Sequence, residues 1–259
     1  MDVSCSVVIP TLNNARTIRP LLASIRSQTY HPIETIVADG GSADGTQGIA
    51  HENGAIILPC PGKGDTRCLG RNLAARHASG NVLLFVDSDM ELEPTVVEEC
   101  ARKVRDGDDA VVIPEVTLGT GLMGAFRRWE RSTIQEALCL VFPRAIRSDV
   151  FWKLGGFDER MVGFEDMDLE ASLLEANSKI ARISASILHH EEDVRMGAYL
   201  RKRRYYLASA DLFKARHPRI ASQVFSPLSR LKLYASGVRG AQDLPWMMMA
   251  TLLRAGEIF

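Results

Sequence analysis

Apolar residues along this chain follow two rhythms. Short, mostly apolar runs occupy residues 5–9, 33–38, 55–58, 82–86 and 110–113, the last three without a polar residue. Runs of that length, bounded by Pro, Gly or Asp, predict buried strands. Between them apolar positions recur every three or four residues, as at Ile18, Leu21, Leu22 and Ile25, the spacing of one helix face. Further helices are predicted around 47–52, over 68–78, and over 95–105 behind Pro94. Strands alternating with helices in this way predict an α/β fold with a mainly parallel central sheet.

The second half is less regular. The pattern predicts a helix over 122–137, a short strand at 140–142 and a helix ending at Gly155-Gly156. A helix over 166–176 opens with acids, which suits the positive end of its dipole. Short strands at 180–183 and 185–188 precede a long basic helix over 195–217, with a linker expected near 218–227.

In parallel α/β sheets, ligands sit beyond the carboxyl ends of the strands. Those ends read Pro10-Thr11-Leu12-Asn13, Asp39-Gly40-Gly41-Ser42 and Asp87-Ser88-Asp89. Side chains at i and i+2 of an extended segment point the same way. Asp87 and Asp89 therefore repel each other unless a cation or solvent lies beside them. Mg²⁺ and Mn²⁺ prefer such carboxylate oxygens and share them with substrate phosphates. An acid pair at a strand end is also an ordinary water-facing cap, so the other strand ends matter. Asp39 offers acceptors to a base N–H, and Gly40, Gly41 and Gly45 permit a tight turn behind it. Lys63, Arg67 and Arg71 follow in a Gly-rich stretch near the same edge, where they suit phosphate. That stretch lacks the spacing and the Lys-Ser/Thr pair of a P-loop. Glu165 and Asp166 stand at a helix start, as dipole partners or as candidates for a general base. His189 and His190 close an apolar strand, where a neutral imidazole of one could join a metal shell.

Five stretches in this order resemble a family 2 glycosyltransferase of the GT-A fold: "SVVIPTLNNARTIRPLLASIRSQTY", "IETIVADGGSADGT", "GRNLAARHASGNVLLFVDSDM", "GGFDERMVGFEDMDLEASL" and "ILHHEED". The resemblance spans about residues 4–206. It implies a UDP- or GDP-sugar donor, an inverting transfer to a hydroxyl, and Mn²⁺ or Mg²⁺ as cofactor. By that resemblance Pro10, Thr11, Asn13 and Gly41 line the nucleotide pocket and Asp39 meets the base. Lys63, Arg67, Arg71, Asn72 and Ser88 lie beside the donor. Asp87 and Asp89 form the D-x-D motif, with Asp89 the more direct metal ligand. His189 is the first choice for the metal's histidine and His190 the alternative. Asp166 is the base, with Glu165 beside it. Trp129, Arg203 and Arg204 meet the acceptor or its phosphate. Gly40 stands where the family often has a second acid, which leaves uridine and guanosine donors both open. The implied organisation is a catalytic unit over 1–217 (nucleotide-sugar half 1–115, acceptor half 116–194, basic helix 195–217) and a helical extension over 218–259.

Charge changes this picture in one respect. The 259 residues carry a net charge of −1. Residues 1–194 hold 19 Lys/Arg against 29 Asp/Glu, a net of −10, while residues 195–259 hold 12 against 3, a net of +9. A basic C-terminal segment either pairs with the acidic part or faces an anionic partner. Apolar stretches such as "LPWMMMATLLRAGEIF", mixed with Arg and Lys, suit a membrane surface. "RMGAYLRKRRYYLASADLFKARHP" resembles the corresponding segment of membrane-associated members that act on lipid-linked acceptors. Arg201 to Arg204 would meet phosphate there, with Tyr205 and Tyr206 at the interface. This places the protein in the cytoplasm, at the cytoplasmic face of a membrane. Nucleic acid is not an expected partner, because Tyr205-Tyr206 alone is a poor stacking platform. Cys5, Cys60, Cys68, Cys100 and Cys139 lack metal-ligand spacing and read as reduced thiols. No leader is expected before residue 3, no run reaches the roughly 18 apolar residues of a membrane span, and the abrupt stop at Phe259 leaves room for further chain. Two rivals are a nucleotidyltransferase and a non-enzymatic scaffold. The first wants a Gly-rich basic loop after the first strand, where this chain has "PTLNNA". The second leaves the acidic set without a purpose.

Overall fold

The computed structural model describes residues 3–60, 67–135, 137, 141–191 and 194–255. The first half runs β1 (Cys5–Thr11), α1 (Ala15–Arg26), β2 (Ile33–Asp39), α2 (Thr46–Glu52), β3 (Ile56–Pro59), α3 (Arg67–His77), β4 (Val82–Phe85), β5 (Met90–Leu92), α4 (Val96–Arg105) and β6 (Ala110–Val112). It continues with β7 (Glu115–Leu118), α5 (Gly121–Ile134), β8 (Ala145–Arg147), α6 (Ser148–Lys153), α7 (Glu165–Glu175), β9 (Ile180–Arg182) and β10 (Ile187–His190). Helices α8 (Met196–Tyr206), α9 (Ala210–Arg216), α10 (Pro218–Val224), α11 (Pro227–Ser236) and α12 (Leu244–Ala255) follow.

The main sheet has the order β3-β2-β1-β4-β8-β6-β9. It is parallel except at β8, which runs antiparallel to both β4 and β6. The fold is thus the α/β architecture expected, with a mostly parallel sheet flanked by helices. Its centre explains the unbroken apolar run at 82–86. Val82, Leu84 and Val86 enter the core shared with α1 and α4, while Leu83 and Phe85 enter the core under α3 and α6. A strand buried on both faces has no polar face to show.

A smaller sheet, β5-β10-β7, was only partly foreseen. The strand expected at 185–188 lies two residues later, at Ile187–His190, and carries both histidines into the ladder. It pairs antiparallel with β5 and parallel with β7, two strands too short for a local signal. Residues 141–142 are not a strand; residues 138–140 lie outside the described residues, and the strand of this region is β8. Phe142 instead joins a cluster with Phe85, Phe151 and Phe157.

The basic helix expected over 195–217 is interrupted. A 3₁₀ turn at Leu207–Ser209 separates α8 from α9, and the Ser209 hydroxyl accepts a hydrogen bond from the Val162 N–H at 2.9 Å. The linker expected near 218–227 is helical instead. Pro218 and Pro227 each occupy the first turn of a helix, where a missing N–H costs nothing. Ile220, Ala221 and Val224 are buried with Phe213 and Met161. Tyr234 and Ala250 are buried with Phe126 and Trp129 of α5. Among the described residues no helix is long and apolar enough to cross a membrane.

Candidate active site

The carboxyl ends of β1 and β4 open into a pocket of about 410 Å³. Pro10 and Thr11 form one part of its wall, and Asp87, Ser88, Asp89 and His189 another. His189 reaches it because β10 pairs with β5, placing His189 against Met90 in the ladder. Successive strand residues face opposite ways, so His190 leaves the pocket and its Nε2 lies 2.6 Å from Glu91 Oε1.

The paired carboxylates do not share one environment. Asp87 Oδ1 accepts from Arg71 Nη2 at 2.8 Å and Oδ2 from Arg144 Nη2 at 3.4 Å. Burial alone would raise the Asp87 pKa, but the two guanidinium groups outweigh it and hold the carboxyl far below its usual range. Each arginine also rests on a ring, Arg71 on Phe157 at 5.1 Å and Arg144 on Phe142 at 5.9 Å. Asp89 is more open and, among the described residues, pairs with no arginine. Its Oδ1 lies 3.5 Å from His189 Nε2. On the other edge of that imidazole, Nδ1 lies 3.4 Å from Glu115 Oε2 and 3.2 Å from Arg131 Nη2. Burial disfavours the charged imidazole, yet the hydrogen bonds to Asp89 and Glu115 prevail and raise its pKa to about 9. Glu115 is buried and also accepts from Arg131 and, at 2.6 Å, from Arg144 Nε. Acids and bases thus alternate in one connected network from Asp166 through Arg71, Asp87, Arg144 and Glu115 to His189 and Asp89.

A second pocket, of about 290 Å³, adjoins the first through Arg67 and Tyr206, which line both. The first turn of α7 supplies Glu165 and Asp166 to it. Phe164 precedes that turn at φ 66, a conformation uncommon for a bulky side chain. Its ring stacks on Phe213 with centroids 5.8 Å apart, which anchors the residue. Arg67 and Arg71 stand one helical turn apart on α3 and so reach the same acids. Arg71 Nη1 donates to Asp166 Oδ1 at 2.8 Å, and Arg67 Nη1 to Glu165 Oε1 at 3.2 Å. Burial, then the neighbouring Asp166, pushes the Glu165 pKa up.

Other expected site residues lie elsewhere. Asp39 is buried, and its carboxylate accepts from Gly41 N, Ser42 N, Ser42 Oγ and Gln47 Nε2. These bonds outweigh burial and lower its pKa. Asn13, at φ 54, donates its N–H to Ser42 Oγ and its Oδ1 accepts from Ala43 N–H, so it pins the same loop, while Asn14 lines the pocket. The Asn72 amide bonds Phe157 and Glu159, closing the loop before α7. Trp129 packs near Tyr234 and lines neither pocket. Arg203 lines the second pocket; Arg204 is exposed and lines neither. Lys63 lies outside the described residues. Tyr206, expected at an interface, lines both pockets. Glu115, Arg131 and Arg144 were not anticipated. For Glu115 and Arg144 the signal was a charge set in an otherwise apolar stretch, "VVIPEV" and "VFPRAI", while Arg131, within "RRWERST", had no such signal.

Residues 6–157 match the family model described as Glycosyl transferase family 2. The pre-mycofactocin glycosyltransferase of Mycobacterium tuberculosis (strain ATCC 25618 / H37Rv) is 27% identical over 236 residues, covering 82% of this chain and 48% of the relative. The chain therefore spans about half that relative's length. Among solved structures, the mannosyltransferase PcManGT from Pyrobaculum calidifontis, in complex with GDP-Man and Mn²⁺, superposes with a TM-score of 0.65 at 18% identity, over 98% of this chain and 86% of that one. S. aureus TarS 1–349, in complex with UDP-GlcNAc, does so with 0.59 at 18% identity, over 99% and 82%. At such identities the likeness shows a shared fold, the GT-A type.

Proposed function

Because the chain belongs to glycosyl transferase family 2, we propose that it transfers a sugar from a UDP- or GDP-sugar to an acceptor hydroxyl, inverting the anomeric centre. The observation that carries this reading is the pair of adjoining pockets. One presents Asp89 with His189, the other Asp166, and Arg71 ties the two walls together. Structural neighbours captured with GDP-Man and with UDP-GlcNAc are consistent with either nucleotide.

The donor's diphosphate lies in the first pocket. Among the described residues no group of three His, Cys, Asp or Glu side chains gathers to hold a metal. Asp89 and His189 nonetheless suit Mg²⁺ or Mn²⁺, which take one or two protein ligands and complete their shell with phosphate oxygens and water. A cation would have to replace the proton on His189 Nε2, while Nδ1–H donated to Glu115 would keep the ring oriented toward it. The bound cation would offset charge on the leaving diphosphate. Asp166 takes the proton from the acceptor hydroxyl as that oxygen attacks the anomeric carbon. The bond from that carbon to the diphosphate breaks on the opposite face, with no covalent intermediate. Arg71 holds Asp166 and Asp87 at a fixed separation through both events.

The acceptor is a glycan or lipid-linked molecule at a membrane surface. The basic segment 195–259 and the exposed apolar side chains of α11 and α12 support that placement. Titrating UDP and GDP calorimetrically into wild type and Asp89→Ala, with Mn²⁺ and with chelator, tests the donor site. Mn²⁺ should strengthen wild-type binding and leave the variant unchanged; equal metal dependence in both would remove Asp89 from the metal site.

A further inference from the structure

We infer that Lys202 is a donor-binding residue, holding the diphosphate from the α8 wall independently of any metal. The inference rests on the donor site proposed above. Three neighbours of α8 and α3 line the first pocket together: Lys202, Tyr206 and Arg67. The Lys202 ammonium lies 5.6 Å from the centroid of the Tyr206 ring, and the Arg67 guanidinium 5.3 Å from the same centroid. One ring therefore carries two cations at the pocket edge.

The two cations differ in what else they meet. Arg67 is committed to Glu165 at 3.2 Å. Lys202 has no carboxylate within ion-pair distance among the described residues. Of the described acids lining this pocket, Asp87 pairs with Arg71 and Arg144, and Asp89 lies 3.5 Å from His189. An entering diphosphate thus finds in Lys202 a positive charge that none of the described acids lining the pocket pairs with. Lysine suits that task, as a compact charge with three donors that binds phosphate without a fixed fork geometry.

Its position is also prepared. Lys202 and Tyr206 are four residues apart on α8, the spacing that stacks one side chain over the other. Tyr206 is in turn seated against a glycine. A Cβ at Gly163 would lie 2.5 Å from Tyr206 Cβ and 2.7 Å from its Cα. The bare backbone at 163 lets α8 approach the start of α7 closely, which brings Lys202 to the donor pocket and Tyr206 to both pockets. A long side chain resting on a seated ring gives up less freedom when it meets its ligand.

Calorimetry of UDP, GDP, uridine and guanosine, in chelator and in Mn²⁺, tests this. Lys202 is exposed, so Lys202→Met should melt like wild type. In chelator, wild type should still bind its nucleoside diphosphate. Lys202→Met should weaken that binding at least about tenfold while leaving the nucleoside unchanged, and Lys202→Arg should recover most of the loss. Gly163→Ala, which displaces Tyr206, should show the same selective loss. Binding by Lys202→Met within about twofold of wild type, or an equal loss for the nucleoside, would overturn the assignment. So would a wild type that binds no diphosphate in chelator but does so in Mn²⁺. A wild type that binds none in either buffer would instead remove the donor site on which the inference stands.

Discussion

Arg71 is 1% exposed and meets three carboxylates, Asp87, Asp166 and Glu165. A guanidinium remains charged when buried, and its planar fork can address two acids at once. That makes it the residue through which the wall carrying Asp87 and the wall carrying Asp166 keep their spacing. Asp166 is the more accessible of its partners, with the side chain 34% exposed, and faces the second pocket. Asp166→Asn keeps an oxygen for Arg71 but lowers basicity. Turnover should fall at least about 10²-fold while donor affinity changes little, the signature of a lost general base. Single-turnover rates beside donor titrations would check it, and a preserved rate would assign the base elsewhere.

Among the elements, the join between α5 and the end of β10 has the clearest acid signature. Arg127 on α5 meets Glu191, just past β10, with Nη2 2.8 Å from Oε1, and meets Glu130 on its own helix. Burial opposes the Glu191 charge, but Arg127 outweighs it and lowers the carboxyl to about 2. A depressed acid contributes stability above its unfolded pKa of about 4.3 and loses it as pH falls toward the folded value. The contribution is of the order of 3 kcal/mol. Urea unfolding of wild type should therefore weaken between about pH 5 and pH 2. Glu191→Gln should be less stable at neutral pH and lose less on acidification. Parallel pH profiles for the two proteins would show that the pair does not stabilise the fold.

The molecule as a whole is polarised, acidic through residue 194 and basic after it. The basic part is not a detached arm, since α9 and α10 share a core with α7, and α11 and α12 share one with α5. On α12, Leu244, Met248 and Leu252 are 45%, 60% and 73% exposed and stand four residues apart, on one face. Leu228 and Leu231 of α11 are exposed as well. An apolar stripe with basic neighbours binds anionic bilayers through two signals at once. Changing Leu244, Met248 and Leu252 together to Glu should reduce co-sedimentation with anionic vesicles and leave the melting temperature near wild type. Equal pelleting would place any membrane contact on another surface. Deletion from Pro218 would be a poorer test, because it uncovers Phe213 and Phe126.

Local rhythm was enough to reveal the α/β order, because strand and helix periods are properties of neighbouring residues. It also marked the acids at 87, 89, 165 and 166, because polar residues interrupting apolar runs are visible one segment at a time. It could not say which charge answers which. Asn72 bonds Phe157, 85 positions away; Arg144 meets Asp87 and Glu115; His189 rather than His190 enters the pocket through its register with β5. The same blindness turned Pro218 and Pro227 into a linker, when burial of Ile220 and Val224 makes that stretch helical and packed. Contacts between distant residues depend on strand register and on how helices seat against the sheet. Those are set by burial summed over the whole chain, which no short window contains.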